Sequence, residues 1–126
     1  MILIIGGSYQ GKLDFAKSRF GLSDADVFAC DDRTVDIDFT RRCIAYADRF
    51  ALGCVRRDIE PADVFRARAA QWQNAVIVVT DISGGVVPVD PVLRAWREAC
   101  GRMNNDLAGQ ADEVWRLFCG IPQRLK

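Results

Sequence analysis

Seven residues near the start of the chain, Gly6-Gly7-Ser8-Tyr9-Gln10-Gly11-Lys12, have the types and spacing to hold a phosphate group. They fit the pattern G-x-x-x-x-G-K. Glycines let the backbone curl until several N–H groups point inward at one anion, and a helix that starts there adds partial positive charge. Lys12 reaches the outer phosphates in this pattern. The nucleotide-contacting residues are therefore expected to be Gly6, Gly7, Ser8, Tyr9, Gln10, Gly11, Lys12 and Leu13. Leu13 stands where the pattern usually has Ser or Thr, whose hydroxyl ligates Mg²⁺. Ser8 and Asp14 are polar neighbours, but neither occupies that place.

A second candidate is Asp81, which follows the apolar run Val76–Val79. A carboxylate at the end of a buried strand can associate with Mg²⁺ or orient an acceptor hydroxyl. Asp81 is thus the expected catalytic partner of Lys12 and the expected metal contact. Asp31 and Asp32 end another apolar run and are expected near the same crevice, with a plain turn as the alternative. Arg33, Arg56, Arg57 and Arg97 are candidate phosphate contacts, and the arginines from Arg41 to Arg68 read as a solvated helical face. The 126 residues contain no histidine, which removes Ser-His-Asp and Cys-His catalysis and histidine-borne intermediates. Cys30, Cys43, Cys54, Cys100 and Cys119 show no C-x-x-C spacing and lie in apolar contexts, so all five are expected to be small buried hydrophobes.

The elements that would position these groups follow from periodicity. Ile2–Ile5 reads as a buried strand closed by glycines, and a helix is expected from about Gly11 to Phe20, stopped by Gly21. Asp26–Cys30 reads as a second strand. Phe39, Cys43, Tyr46, Ala47, Phe50 and Cys54 recur at helical spacing, which predicts one long helix over about Asp38–Arg57. Pro61 opens a helix to about residue 72, Ala75–Thr80 is the clearest strand, and Asp90-Pro91 starts a helix with Val92, Trp96, Ala99, Met103 and Leu107 on its apolar face. Glu113–Cys119 reads as the last strand. The alternation predicts a single α/β domain over residues 1–126, a three-layer P-loop NTPase-type fold with a mainly parallel sheet covered by helices.

The formal net charge is zero, which argues against a nucleic-acid or membrane-surface partner. The apolar start, MILIIGG, is too short for a signal peptide or a membrane span, so a soluble, cytoplasmic protein is expected.

The two ends of the chain resemble one family. The glycine motif is similar to the phosphate loop of the bifunctional adenosylcobinamide kinase/adenosylcobinamide-phosphate guanylyltransferases of cobalamin biosynthesis. Asp81-Ile82-Ser83-Gly84-Gly85-Val86-Val87-Pro88 resembles their acid-V-G-x-G-I-V-P loop, and Arg97-Glu98-Ala99-Cys100-Gly101-Arg102-Met103-Asn104 their R-E-x-x-G-R-x-N helix. Ala111–Trp115, Gly120-Ile121-Pro122 and Lys126 follow the closing pattern. The resemblance implies a GTP- or ATP-binding transferase that phosphorylates a corrinoid hydroxyl with Mg²⁺, assembled as a homotrimer. Gly11 and Lys12 would bind phosphate, and Asp81 would match the acidic loop residue. The family's histidine nucleophile has no counterpart here, so its guanylyltransferase step is not expected. No match to the family's middle section with its D-C-L-T strand is visible between Asp32 and Gln73. A kinase-like transferase is the leading expectation. The alternatives are a non-catalytic nucleotide- or corrinoid-binding accessory protein, and an interaction domain using Trp72, Trp96 or Trp115 as anchors.

Overall fold

The computed structural model describes all 126 residues, Met1–Lys126. Six strands form one sheet in the order β2-β3-β4-β1-β5-β6. They are β1 (Ile2–Gly6), β2 (Val27–Ala29), β3 (Cys43–Ala45), β4 (Val76–Thr80), β5 (Glu113–Phe118) and β6 (Ile121–Arg124). All neighbours run parallel except β5 and β6. Five helices cover the sheet: α1 (Lys12–Phe20), α2 (Ala47–Val55), α3 (Pro61–Ala67), α4 (Ala69–Trp72) and α5 (Pro91–Gln110). This is a mixed α/β domain with layered helices and a largely parallel sheet.

The period-2 geometry of the strands explains the layering. Leu3, Ile44, Ile77 and Val79 point to one face, where they meet Phe50, Phe65, Trp72, Met103 and Leu107 from the helices. Ile4, Cys43, Ala45, Val76, Val78 and Leu117 point to the other, against Ala16 and Leu22. Central strands buried on both faces carry no polar alternation, which is why β1 and β4 read as unbroken apolar runs.

Three expectations need correction. The long helix over Asp38–Arg57 does not form. Asp38 instead caps a turn, accepting from Thr40 N–H at 3.0 Å and from Arg41 Nε at 3.2 Å. Cys43–Ala45 is the strand β3, paired with β2 and β4 and buried at every residue. Tyr46 then takes a left-handed conformation, φ 60°, and turns the chain into α2. The helical spacing is real from Ala47 onward; before that, Phe39, Cys43 and Tyr46 fall at helical intervals by coincidence.

The helix over residues 61–72 is broken at Arg68, where φ is −119°. The Trp72 indole N–H donates to the Phe65 carbonyl at 2.8 Å, so that carbonyl is bound by a side chain. Arg68 itself lies over the Phe39 ring, 4.7 Å from its centre. The third correction is β6, absent from the sequence reading. Cys119 and Gly120 both have positive φ, 51° and 74°. They form the two-residue connection of a β5–β6 hairpin, the conformation such turns favour. Pro122 is tolerated because β6 is an edge strand.

Gly6 illustrates how tightly β1 is held. A Cβ at this position would lie 2.5 Å from the Leu117 carbonyl oxygen of β5. Backbone cannot move aside as a flexible side chain can. Gly6→Ala is expected to destabilise the fold by about 1–3 kcal/mol, read as a lower urea midpoint at unchanged slope; an unchanged midpoint would refute the close packing.

Candidate functional site

The glycine loop joins β1 to α1 on the chain's own path, with Gly6 at the strand end and Lys12 as the first helical residue. Gly11, the N-cap, is left-handed with φ 81°, and no side chain caps the helix. The first N–H groups of α1 are therefore without a side-chain partner, the arrangement that suits an anion. Tyr9 also has positive φ, 59°, and stands fully exposed at the loop tip. The loop is braced from the far side: the Cys119 N–H donates to the Gln10 side-chain oxygen. Leu13 turns into the apolar layer beneath, among residues packed against Ile4 and Ala16.

Lys12 is buried, with a relative exposure of only 6%. Its Nζ donates to the Gly7 carbonyl at 2.6 Å. Burial pulls its pKa below the usual lysine value, and the nearby Asp48 carboxylate opposes that shift. Asp48 sits in the first turn of α2 and is 4% exposed. Its Oδ1 accepts from the Thr80 N–H at 2.8 Å. Burial raises its pKa, only partly offset by that hydrogen bond and by Arg49 and Lys12. Lys12 and Asp48 are the two buried charged residues of the chain, and they belong to one region.

Two clefts meet there. One, of 270 Å³, is lined by Ser8, Tyr9, Gln10, Gly11, Lys12, Leu13, Asp14, Tyr46, Arg49 and Thr80. The other, of 370 Å³, is lined by Ser8, Asp31, Asp32, Asp48, Arg49, Leu52, Thr80, Ile82 and Trp96. Ser8, Arg49 and Thr80 are common to both. Ser8–Leu13 thus line one cleft together, and Asp31 and Asp32 join the adjoining one. Asp31 is held by Arg33 N–H and by Thr34, which lower its pKa, and Asp32 pairs with Arg56 at 3.1 Å.

Asp81 lies at the end of β4, where its N–H donates to the Gly6 carbonyl at 2.8 Å. Its carboxylate turns to Ser83, accepting from N–H at 2.9 Å and from the hydroxyl at 2.6 Å, and these bonds hold its pKa low. It lines neither cleft. Of the candidate arginines, Arg56 is taken by Asp32, and Arg97 donates to the Ser83, Gly85 and Val86 carbonyls, bracing the loop before α5. Arg33 and Arg57 line neither cleft. The cleft arginine is Arg49, stacked 4.9 Å from the Tyr46 ring centre.

Arg49, Tyr46 and Asp48 were missed because the long-helix reading placed them on a continuous helical face. The charged pair Asp48-Arg49 within the otherwise largely apolar stretch Ala45–Gly53 was the signal that could have found them. The cysteine reading also needs amendment. Cys30 and Cys100 are buried with thiol pKa values pushed up to about 12, and Cys43 and Cys54 to about 11, all by burial. Cys119 is exposed, because it occupies the hairpin turn. No three His, Cys, Asp or Glu side chains are gathered to hold a metal ion unaided.

Residues 55–125 match the family model of cobinamide kinase / cobinamide phosphate guanyltransferase, more than half of the chain. The chain belongs to this family. Among its curated relatives is the bifunctional adenosylcobalamin biosynthesis protein CobU of Salmonella typhimurium, 39% identical over 53 residues. The CobU of Escherichia coli is 37% identical over 53 residues. Each alignment covers 42% of this chain and 29% of the relative, so the chain spans under a third of the relatives' length.

The cobinamide kinase match begins at Val55, upstream of the Gln73 limit set by recognisable motifs. It takes in Asp81, the loop braced by Arg97, α5 and the β5–β6 hairpin. The glycine loop, Asp31, Asp32, Asp48 and Arg49 precede it, so their reading rests on geometry. No helix is long and apolar enough to cross a membrane.

Proposed function

We propose that this chain binds a nucleoside triphosphate, GTP or ATP, on the glycine loop Gly6–Leu13, as a P-loop domain. We further propose that it acts as a kinase-like transferase of cobalamin assembly, without the histidine-dependent guanylyltransferase step. The observation that carries this reading is the uncapped α1 N-terminus with buried Lys12 at its first position, both at one cleft. The loop amides and the helix start would take the phosphates, and Lys12 would stabilise charge on the transferred group. Family membership supports a cobinamide-type corrinoid as acceptor, and a homotrimeric assembly is proposed with it on the sequence resemblance alone.

A nucleotide-bound Mg²⁺ would be held on the protein side by one or two carboxylates. The residues allow this: carboxylates lie at the strand ends beside the loop, although Leu13 offers no hydroxyl. It would supply charge neutralisation on the phosphates.

A second reading is favoured by Leu13 specifically. A domain that binds nucleotide or corrinoid without turnover would not need that hydroxyl. Thermal unfolding with GTP, ATP and neither, each with and without Mg²⁺, tests both. Saturation at a hundred times Kd adds about 2.7 kcal/mol. A Mg²⁺-dependent shift supports the transferase, a Mg²⁺-independent shift supports the nucleotide binder, and no shift with either nucleotide refutes the transferase and the nucleotide binder, leaving only a corrinoid binder.

A further inference from the structure

The chain buries one cationic and one anionic side chain, Lys12 and Asp48, and leaves them without a direct ion pair. Removing a charge from water is costly unless something compensates it. Here the hydrogen bonds come from backbone groups, the Gly7 carbonyl for Lys12 and the Thr80 N–H for Asp48, with the neighbouring Arg49 charge only partly offsetting the burial of Asp48. Lys12 and Asp48 sense each other's charge across the junction of the two clefts. A cation–phosphate group would complement both, with phosphate toward Lys12 and cation toward Asp48.

We propose that Asp48, rather than Asp81, is the carboxylate that faces the divalent cation of a bound nucleoside triphosphate. The proposal rests on the nucleotide-binding reading above. Three observations separate the two acids. Asp48 lines a cleft that shares Ser8, Arg49 and Thr80 with the glycine-loop cleft, whereas Asp81 lines neither. The Asp81 carboxylate is engaged by the N–H and hydroxyl of Ser83 and is exposed. Asp48 is held in place through the N–H of Thr80, the residue paired with Gly6 in the β1–β4 register. Of the other cleft acids, Asp31 is bound by Thr34 and Asp32 by Arg56, and Asp14, in the first turn of α1, is exposed rather than buried. With Leu13 in place of the usual hydroxyl, a buried carboxylate is a contact this chain offers, and a nucleotide-bound Mg²⁺ needs only one or two.

The test uses the full chain and its Asp48→Asn and Asp81→Asn variants. GTP and ATP affinities are measured by calorimetry with EDTA and with Mg²⁺, and bound Mn²⁺ is counted by EPR with nucleotide present. Asparagine keeps an oxygen for the Thr80 N–H, and circular dichroism of each free variant verifies folding. For wild type, metal should tighten nucleotide binding about tenfold or more. Asp48→Asn should lose most of that gain and the nucleotide-dependent Mn²⁺ signal. Without metal it should bind nucleotide as well as wild type or better, because a carboxylate beside phosphates repels them. That reversal of sign is not what simple structural damage produces. Asp81→Asn should keep the metal gain. Full metal gain in Asp48→Asn, or its loss in Asp81→Asn, would overturn the assignment while leaving nucleotide binding intact. Wild type that binds neither nucleotide would overturn the underlying reading and this assignment with it.

Discussion

Phe65→Ala should be among the most damaging single substitutions in this chain. The Phe65 ring is buried on α3 and meets three aromatic rings edge-on, with centres 5.6 Å from Phe39, 5.6 Å from Phe50 and 5.9 Å from Trp72. Edge-to-face pairs add stabilisation beyond the area they bury. Those rings come from the turn before β3, from α2 and from α4, so Phe65 ties together three separate segments of the chain. Truncation leaves a cavity that three large rigid rings cannot easily fill. The expected loss is about 3–5 kcal/mol, in the range measured for Phe→Ala in cores. Against a total stability of about 5–15 kcal/mol for a typical domain, that is a large fraction. Urea unfolding of the variant should show a strongly lowered midpoint, and a loss below about 1 kcal/mol would show that the aromatic cluster relaxes more freely than its geometry implies.

Legibility of the fold followed length and burial symmetry. β1, β4 and α5 were readable because each carries a long, internally consistent pattern. Asp90 and Pro91 mark the start of α5, and the Asp90 carboxylate does accept from the Val92 N–H at 2.8 Å. β3 was illegible because three residues buried on both faces leave no periodic trace, and the apolar residues around them fall by coincidence at helical intervals. β6 was hidden by Gly120 just before it and Pro122 within it, which argue against a strand unless the strand is known to lie at an edge.

The same reasoning separates the two halves of the site. The glycine loop is a local feature: strand, loop and helix are contiguous, so spacing alone locates them. Asp48 and Arg49 reach the cleft only because β3 lies next to β4 and Tyr46 turns the chain between β3 and α2. That is long-range information, and the long-helix reading erased it. Asp81 shows the converse. Its place at the end of β4 was legible, but the direction of its carboxylate depends on Ser83, two residues on.

Lys12→Ala should abolish any nucleotide-induced stabilisation while leaving the free protein nearly as stable. The two halves of this expectation have separate causes. In the bound state, Lys12 is the cation expected to meet the outer phosphates, and no other lysine lies in the cleft. In the free state, its charge is a burden, because burial lowers the pKa below the ordinary 10.5. A lysine whose folded pKa is depressed favours unfolding while charged; that penalty fades as pH rises through the folded pKa toward 10.5. Wild type should therefore gain stability relative to Lys12→Ala as pH is raised from 7 toward 10. At neutral pH the variant trades the lost contact with Gly7 and alkyl packing against the removed penalty, so its melting temperature should lie within a few degrees of wild type. With saturating GTP or ATP, wild type should shift by several degrees, as about 2.7 kcal/mol implies for a domain of this size, and the variant should not shift. A variant that retains the full nucleotide shift would mean that the loop amides alone hold the phosphates, and that the buried lysine serves the loop's structure through Gly7 instead.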